Sequence, residues 1–400
     1  MWWAAAHTSV SMRAPLLIAA LLVLAAADAG AQSEVTIVPA VGLGAMYDSN
    51  LFSAPTGRRD LLATVRPSLE GRFASPTLKV DSLAYFDIQR SAVYSNLNTF
   101  DARRHAMVDI QGQASPVVGL GLAARYDRSE TPGDLNLESG IMLTRQRARR
   151  LQVTPSFSYR TDPRTTFSSR YDWTSETLSG WPGGDMQALH AVIAREVTPR
   201  TTLNARYLGR LFSGEIDAHS QSVLAGWARE MTPGTNVSVE AGPRMTSHRG
   251  LRSEVMAALL RRTPRTRLRL DYWRGETIVL GIPGPVEIHS GTTNLSWTLR
   301  RFVDLGTQLG IFGSHTLEQT SAVVYHASLV AAWSRQPYHL SLSYGTDLQK
   351  GDIRSRGAAD EYVRRGVFLV RLTVAPRLSR AFRPGDDSNP PLTPLKGVIE

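Results

Sequence analysis

Most of the chain alternates between apolar and polar residues with a period of two. Clear runs begin near residues 118, 203 and 266, where Leu, Ala and Tyr take one phase and Arg, Asn, Asp and Gly take the other. Because successive side chains of a β-strand point to opposite faces, each run predicts a strand with one apolar and one polar face. After residue 31 few apolar residues recur at helical spacing, so the chain is predicted to be all-β.

Eight short polar turns divide these runs into pairs. They are Ser75-Pro76, Ser115-Pro116, Asp162-Pro163, Thr198-Pro199, Thr232-Pro233, Thr263-Pro264, the proline-free Val303-Asp304 and Gln336-Pro337. Longer connections are predicted near residues 48–60, 91–103, 128–142, 175–186, 276–289 and 349–361, and shorter ones near 213–218, 247–251 and 315–321. Tight turns that alternate with longer loops predict a single antiparallel transmembrane β-barrel, an up-and-down meander of about 18 strands (16–18). A soluble β-helix or propeller also repeats at fixed periods, but neither predicts this alternation.

The N-terminus has the pattern of an export signal. Arg13 precedes a continuous apolar run over residues 15–27, and Ala29-Gly30-Ala31 offers a small-residue cleavage site. We therefore expect a cleaved signal peptide over residues 1–31, an outer-membrane barrel over 32–382 and a flexible tail over 383–400. The expected location is the cell outer membrane of a Gram-negative bacterium. Many such barrels resemble one another in ending on a terminal aromatic residue, whereas here Phe382 is followed by a proline-rich segment.

Charge and cysteine content narrow the possible functions. The net charge is +10, and the only lysines are Lys79, Lys350 and Lys396, so arginine carries nearly all the positive charge. Arginine binds carboxylate, sulfate and phosphate through a planar fork. Because an exported protein rarely meets nucleic acid, we expect no nucleic-acid partner, and an acidic glycan or lipopolysaccharide instead. The chain has no cysteine, which excludes disulfides and thiolate chemistry.

No short catalytic motif occurs in the sequence. Gly-x-Ser-x-Gly, His-Glu-x-x-His and the P-loop pattern are all absent. The nine histidines are scattered, which disfavours a metal cluster. We therefore expect no enzyme activity, no metal and no cofactor. The enzyme alternative is an outer-membrane hydrolase whose Ser or His nucleophile lies in a loop and needs no short motif.

The polar phase of the strands is rich in arginine and aspartate. Three Arg-x-Asp pairs place both charges on one face of a strand: Arg125/Asp127, Arg170/Asp172 and Arg269/Asp271. One interpretation is a ladder of structural ion pairs across neighbouring strands. The other is a positive lumen that attracts anions and holds them at several weak sites. The candidate anion-binding residues are the arginines without an acidic neighbour in sequence: Arg206, Arg210, Arg265, Arg267 and Arg300.

Two N-terminal segments resemble a known family. Tyr47-Asp48-Ser49-Asn50-Leu51-Phe52 resembles the motif that closes the first strand of outer-membrane β-barrel porins found with exopolysaccharide operons, and residues 60–67 are similar to their second strand. The resemblance implies an outer-membrane barrel that helps to export or anchor a surface polysaccharide, and it brings no catalytic residues. Asp48 and Asn50 also favour turns through side-chain to backbone hydrogen bonds, so we favour a structural role for them over ligand binding.

The predicted function is therefore a porin-like channel with an arginine-lined lumen for exopolysaccharide export or the passage of anionic glycans. Two alternatives stay open: a structural or adhesive barrel that acts through its long loops, and a general nutrient-uptake porin. The expected partners are an anionic polysaccharide or other anionic solute, lipopolysaccharide and the barrel-assembly machinery.

Overall fold

The computed structural model describes residues 34–136, 138–353 and 362–376. The strands are β1 Glu34–Asp48, β2 Asp60–Ala74, β3 Leu78–Ser91, β4 Thr99–Ser115, β5 Val118–Ser129, β6 Ala148–Asp162, β7 Thr165–Leu178, β8 Gly184–Thr198, β9 Thr201–Gly214, β10 Ala218–Thr232, β11 Thr235–Thr246, β12 Gly250–Arg262, β13 Thr266–Val279, β14 Ile282–Arg300, β15 Val303–His315, β16 Ser321–Arg335, β17 Tyr338–Lys350 and β18 Tyr362–Val374. Each strand pairs antiparallel with the next, and β18 pairs back with β1. The predicted all-β, 18-stranded up-and-down barrel is confirmed.

Helices play little part in the described residues. Two short 3-10 helices, Ser95–Leu97 and Pro132–Asp134, lie in connections between strands. No helix in the described part of the chain combines the length and apolar character needed to cross a membrane. The predicted signal peptide, Phe382 and the predicted tail lie outside the described residues.

The tight turns and the longer connections lie at opposite ends of the barrel. All seven proline turns separate consecutive strands where the sequence predicts them. The predicted position of the proline-free turn is wrong by two residues. The turn is Arg301-Phe302, and Val303 and Asp304 begin β15. The physical reason is the pairing of Arg300 with Val303, which closes the hairpin before Val303.

The prediction of a long connection near residues 276–289 is wrong, because these residues form a β-hairpin. β13 runs to Val279 and β14 starts at Ile282, which leaves Leu280 and Gly281 as the turn. Gly281, the second residue of this turn, has φ of +69°, a value that glycine adopts without strain. The loop predicted near 175–186 is also shorter and spans residues 179–183, whereas the one predicted near 128–142 is longer and spans 130–147.

Prolines in this hairpin account for the wrong prediction. Pro283 and Pro285 lie in β14, where the sequence suggested a loop. Up to Val286, β14 has β13 as its only strand partner, and pairing with β15 starts at Glu287. Proline is tolerated where one side of a strand needs no hydrogen-bond donor. A one-sided hairpin therefore contains the residues that normally indicate a loop.

The two phases of each strand separate the two faces of the barrel, as the sequence predicts. Outward-facing Ile193 and Leu211 are 54% and 57% exposed, whereas Asp127 and Asp172 point inward and are buried. Other exposed apolar residues include Leu43, Leu69, Leu120, Leu309, Ile311, Leu329 and Phe368. An apolar outer face around a polar interior inverts the arrangement of a water-soluble protein.

Residues 130–136 and 138–147, named the inserted loop, fold into the barrel. Leu135 and Ile141 of this loop form an apolar cluster with Phe312 of β15 and Val324 of β16. In the strand order, β15 and β16 lie on the opposite side of the barrel from β5 and β6, which carry the loop. The inserted loop therefore crosses the lumen near the end that carries the long connections.

The hairpin of β13 and β14 also enters the lumen. β13 stops pairing with β12 after Arg274, and residues 275–289, named the inserted hairpin, continue without that neighbour. Ile278 packs against Phe212 and Ala218 on the inner wall formed by β9 and β10. The inserted hairpin thus lies inside the barrel mouth.

The segment of residues 47–52 fastens the first strand to the last. The Asp48 carboxylate is fully buried and accepts two hydrogen bonds from the Arg365 guanidinium, at 2.7 and 2.9 Å. Asn50 donates to the carbonyl oxygens of Ala54 (2.7 Å) and Arg364 (2.9 Å). These contacts are those of the structural role expected for Asp48 and Asn50.

Candidate functional site

The three Arg-x-Asp sequences form ion pairs inside the barrel. The arginine Nε lies 2.5 Å from a carboxylate oxygen in Arg125–Asp127, 2.9 Å in Arg170–Asp172 and 2.8 Å in Arg269–Asp271. Neighbouring strands contribute histidines to two of these pairs: His105 lies 2.8 Å from Asp127, and His190 lies 3.1 Å from Asp172. The three arginine–aspartate pairs thus lie within single strands, and at two of them the predicted contact between neighbouring strands comes from a histidine instead of an arginine.

Arg206 and Arg210 have acidic partners that are not their sequence neighbours. Arg206 of β9 forms two hydrogen bonds with Glu240 of β11, at 2.7 and 3.0 Å. Arg210 forms two with Glu254 of β12, at 2.5 and 3.0 Å. The intervening β10 carries Gly226, where a side chain would collide with Glu240. Both predicted site residues face the lumen and are neutralised there.

The other three predicted site residues lie toward the end of the barrel that carries the tight turns. Arg265 lies in the turn between β12 and β13 and is exposed. Arg267 is the second residue of β13, and Arg300 is the exposed last residue of β14. The structure therefore does not bring the five predicted arginines into one site.

A different arginine group faces the lumen around Tyr85. We name Arg66, Arg103 and Arg371 the Tyr85 arginine cluster. The Arg66 guanidinium carbon lies 4.1 Å from the Tyr85 ring centroid and that of Arg103 lies 6.0 Å away. Such contacts between a cation and an aromatic face are favourable, and they fix the direction of a long side chain. Tyr85 also stacks on His105, with ring centroids 4.9 Å apart.

Two members of the cluster have acidic partners. Arg66 binds Asp87 through both nitrogens of its fork, at 2.5 and 2.6 Å. Arg103 lies 3.7 Å from Asp134, a residue of the inserted loop. Two arginines, each opposite one carboxylate, leave no net charge between them. The charge balance of the cluster thus depends on its third member.

Arg371 is that third member, on the inward phase of β18. Among the described residues it has no ion pair or hydrogen bond, and it is partly exposed to the lumen. Its Cδ atom lies 3.6 Å from the position that a Cβ would take on Gly42, and the Cβ of Arg66 lies 3.5 Å from the same position. Gly42 thus leaves room for both arginines over β1. The cluster carries one positive charge more than its carboxylates.

In the sequence, the alternation of apolar and polar residues is the feature that could predict which arginines of this cluster face the lumen. Arg66 follows Val65, which is exposed on the outer face, so the phase places Arg66 inward. The connection predicted near residues 91–103 includes Arg103, whereas Arg103 is the fifth residue of β4. The grouping of Arg66, Arg103 and Arg371 requires closure of the barrel, which brings β18 next to β1.

The inserted loop also forms hydrogen bonds with β17 and β3. The backbone N–H of Met142 donates to Gln349 Oε1 on β17 at 2.8 Å. Arg145 lies 3.5 Å from Glu130 and 3.5 Å from Gln89 on β3. Burial lowers the pKa of Arg145, and the negative charge of Glu130 opposes that shift. Arginine stays charged in proteins, so this contact is a charged anchor.

The described residues contain no cluster of side chains that could hold a metal ion. No cluster of three or more His, Asp or Glu side chains with metal-binding geometry occurs in residues 34–136, 138–353 and 362–376. The lumen contains arginine forks, paired carboxylates and three aspartate-bound histidines, His105, His190 and His326. Such groups bind anions and polarise hydrogen bonds.

Comparisons with known proteins give structural similarity only. No protein-family model and no curated protein matches this sequence. The chain is similar to the outer-membrane channel DcaP of Acinetobacter baumannii (14% identity, 87% of this chain and 98% of that one, TM-score 0.43). It is also similar to OccK2 (OpdF) of Pseudomonas aeruginosa (10%, 86% and 98%, TM-score 0.47) and to a BenF-like porin of Pseudomonas fluorescens Pf-5 (8%, 85% and 99%, TM-score 0.47). The function is therefore inferred from the residues of this chain.

Proposed function

We propose that this protein is an outer-membrane channel that passes small anionic solutes through an arginine-lined lumen and performs no chemistry of its own. The apolar outer face of a closed barrel supports the membrane location, because large exposed apolar surfaces are unfavourable in water. A barrel satisfies its backbone hydrogen bonds between strands, which a lipid environment requires. In this orientation the tight turns face the periplasm and the long connections face outward.

The proposed preference for anions rests on one observation, the position of Arg371. It faces the lumen without an ion pair among the described residues and adds one uncompensated positive charge to the Tyr85 arginine cluster. In a narrow, low-dielectric channel one such charge raises the local concentration of anions. A single weak site also allows release, which conduction requires.

Ion selectivity in planar lipid bilayers tests this proposal. With purified, refolded protein in a potassium chloride gradient, the reversal potential is expected to indicate an anion-selective channel. Arg371→Gln should reduce the anion-to-cation permeability ratio by about twofold or more, because the uncompensated charge is lost. Arg164→Gln is the matched control, since Arg164 is exposed in the turn between β6 and β7. A cation-selective or non-conducting parent protein would rule out the proposed anion channel.

Exopolysaccharide export is a narrower form of the same proposal. It is supported by the resemblance of residues 47–52 and 60–67 to porins found with exopolysaccharide operons. A polymer needs a continuous wide path, whereas the inserted loop and the inserted hairpin lie within the lumen. We therefore favour small anionic solutes, including those taken up as nutrients, over an anionic polysaccharide.

The partners proposed with this function are an anionic solute in the lumen, lipopolysaccharide around the outer rim and the barrel-assembly machinery during insertion. The alternative of an adhesive barrel places function in the outer connections instead. Deletion of residues 133–143 separates the two, because a channel should keep or increase its conductance, whereas an adhesive barrel should lose binding to its partner.

A further inference from the structure

A buried group of charges joins the inserted hairpin to the barrel wall. We name Glu276 and Glu287 the hairpin carboxylates, and Arg244 of β11 and Arg249 of the next connection the wall arginines. Arg244 Nη2 lies 3.5 Å from Glu276 and 3.2 Å from Glu287. Arg249 Nη1 lies 3.4 Å from Glu287 and 3.9 Å from Glu276. The wall arginines thus contact both carboxylates.

The hairpin carboxylates repel each other without these arginines. Glu276 and Glu287 occupy directly opposite positions on β13 and β14. Like charges at opposite positions of a strand pair are destabilising. Arg274, which directly precedes the inserted hairpin on β13, binds Glu287 at 3.2 Å, and Thr246 donates to Glu276 at 2.7 Å. One arginine beside two carboxylates leaves a negative charge, which Arg244 and Arg249 balance.

The two wall arginines differ in how well they are satisfied. Arg249 donates to Glu287 Oε2 at 3.4 Å and to the carbonyl oxygens of Pro285 at 3.5 Å and His315 at 2.7 Å. Arg244 is fully buried, yet its Nε, Nη1 and Nη2 atoms have no hydrogen-bond partner among the described residues, and neither does Glu276 Oε1. A buried donor without an acceptor is costly, and an arginine fork prefers a two-pronged acceptor. The contacts at 3.2 and 3.5 Å are therefore charge contacts without hydrogen-bond geometry. A free carboxylate, which can turn to meet the fork, would satisfy Arg244 better than the tethered side chains do.

We infer that the wall arginines form an anion site that the hairpin carboxylates occupy in this structure, and that a carboxylate-bearing solute competes for this site and releases the inserted hairpin. The hairpin then acts as a tethered competitor that keeps the mouth closed until such a solute binds. The inference deepens the proposed function and rests on it, because an anionic solute must reach the mouth. It names carboxylate as the recognised group.

Thiol labelling measures release of the hairpin directly. The chain has no cysteine, so Leu280→Cys introduces a single thiol at the hairpin tip, where Leu280 is 1% exposed. In refolded protein, this thiol should react slowly with a maleimide. Adding Glu276→Gln and Glu287→Gln should raise the labelling rate by about tenfold or more, because the buried wall arginines then lack carboxylate counter-charges on the hairpin, which destabilises its closed position, and local opening controls access. Glu240→Gln in the same background is the matched control, since Glu240 pairs with Arg206 away from the hairpin.

Solute competition is tested on Leu280→Cys with all its charges intact, so it does not depend on the folding of a charge variant. Sodium citrate should raise the labelling rate well above sodium chloride at the same ionic strength. Equal rates in the two salts would mean charge screening only and would overturn the inference. So would unchanged labelling in the double glutamine variant, or an equal rise in Glu240→Gln. Labelling does not require conduction, so failure here is distinct from failure of the Arg371→Gln selectivity measurement.

Discussion

At the residue scale, the interior of this barrel is organised by charges that find partners through the closed sheet. Arg206 and Arg210 reach Glu240 and Glu254 across one and two intervening strands. Gly226 makes the first of these contacts possible, because any side chain there would meet Glu240. Sequence spacing reveals an Arg-x-Asp pair but not a partner 34 residues away. Arg206 and Arg210 therefore lack an acidic neighbour in the sequence but have one in the folded barrel.

The buried Asp48–Arg365 pair gives the residue-scale prediction. Asp48→Asn should lower the free energy of unfolding by about 3 kcal/mol, because it leaves the buried Arg365 without its counter-charge. Asp81→Asn removes an aspartate whose side chain is 31% exposed beside Arg72, and should cost less than about 1 kcal/mol. Urea unfolding of the refolded barrel measures both. An equal decrease in the free energy of unfolding in the two variants would show that burial does not make the Asp48–Arg365 pair more stabilising than an exposed pair.

At the element scale, the strands were predictable and the inserted elements were not. Alternation identified the strands because each has one face toward the apolar exterior and one toward the polar lumen. The inserted hairpin escaped prediction because Pro283, Gly284 and Pro285 indicate a loop when no partner is known. The inserted loop was recognised as a long connection, but its course across the lumen depends on contacts with Phe312 and Val324, far away in sequence.

Gly140 in the inserted loop gives the element-scale prediction. Its φ is +63°, and a Cβ on it would lie 2.8 Å from Phe312 Cδ2. Gly140→Val should therefore displace the loop from the opposite wall and increase single-channel conductance by about twofold or more, since the obstruction of the pore is reduced. Gly180→Val is the matched control, because Gly180 has a φ of +77° and open space around its Cβ position.

Both valine variants carry the same backbone strain, since each forces a side chain into a left-handed conformation. They differ only in the contact with Phe312. Single-channel recordings of Gly180→Val are expected to match those of the parent protein. If Gly140→Val also leaves conductance unchanged, the inserted loop does not limit the flow of ions.

At the scale of the whole molecule, the seam between β1 and β18 differs from the other strand pairs. β1 pairs with β2 along its full length from Glu34 to Asp48, but with β18 only from Val41 to Asp48. Residues 34–40 therefore have a strand partner on one side only within the described part of the chain. The barrel is closed most firmly at the end that carries residues 47–52.

Hydrogen exchange should detect this asymmetry. In refolded protein, residues 34–40 are expected to exchange at least about tenfold faster than residues 41–48, because a one-sided strand opens more easily. The facing residues 68–74 of β2 serve as the internal control, since they pair with both β1 and β3. Mass spectrometry of the exchanged peptides measures all three segments. Equal protection of residues 34–40 and 41–48 would show that another strand completes the seam there.

The contact between Asp48 and Arg365 also bears on how the barrel forms in time. The two residues are separated by 317 positions, nearly the whole of the barrel chain. The entropic cost of bringing distant residues together grows with the length of the intervening chain, and such long-range contacts form slowly. Asp48 therefore has no counter-charge until the final strand has arrived, and its burial marks the end of assembly. A chain that ends before β18 lacks Arg365, so the Asp48 carboxylate stays in water. Residues 47–52 can therefore adopt their final contacts only when every strand is present.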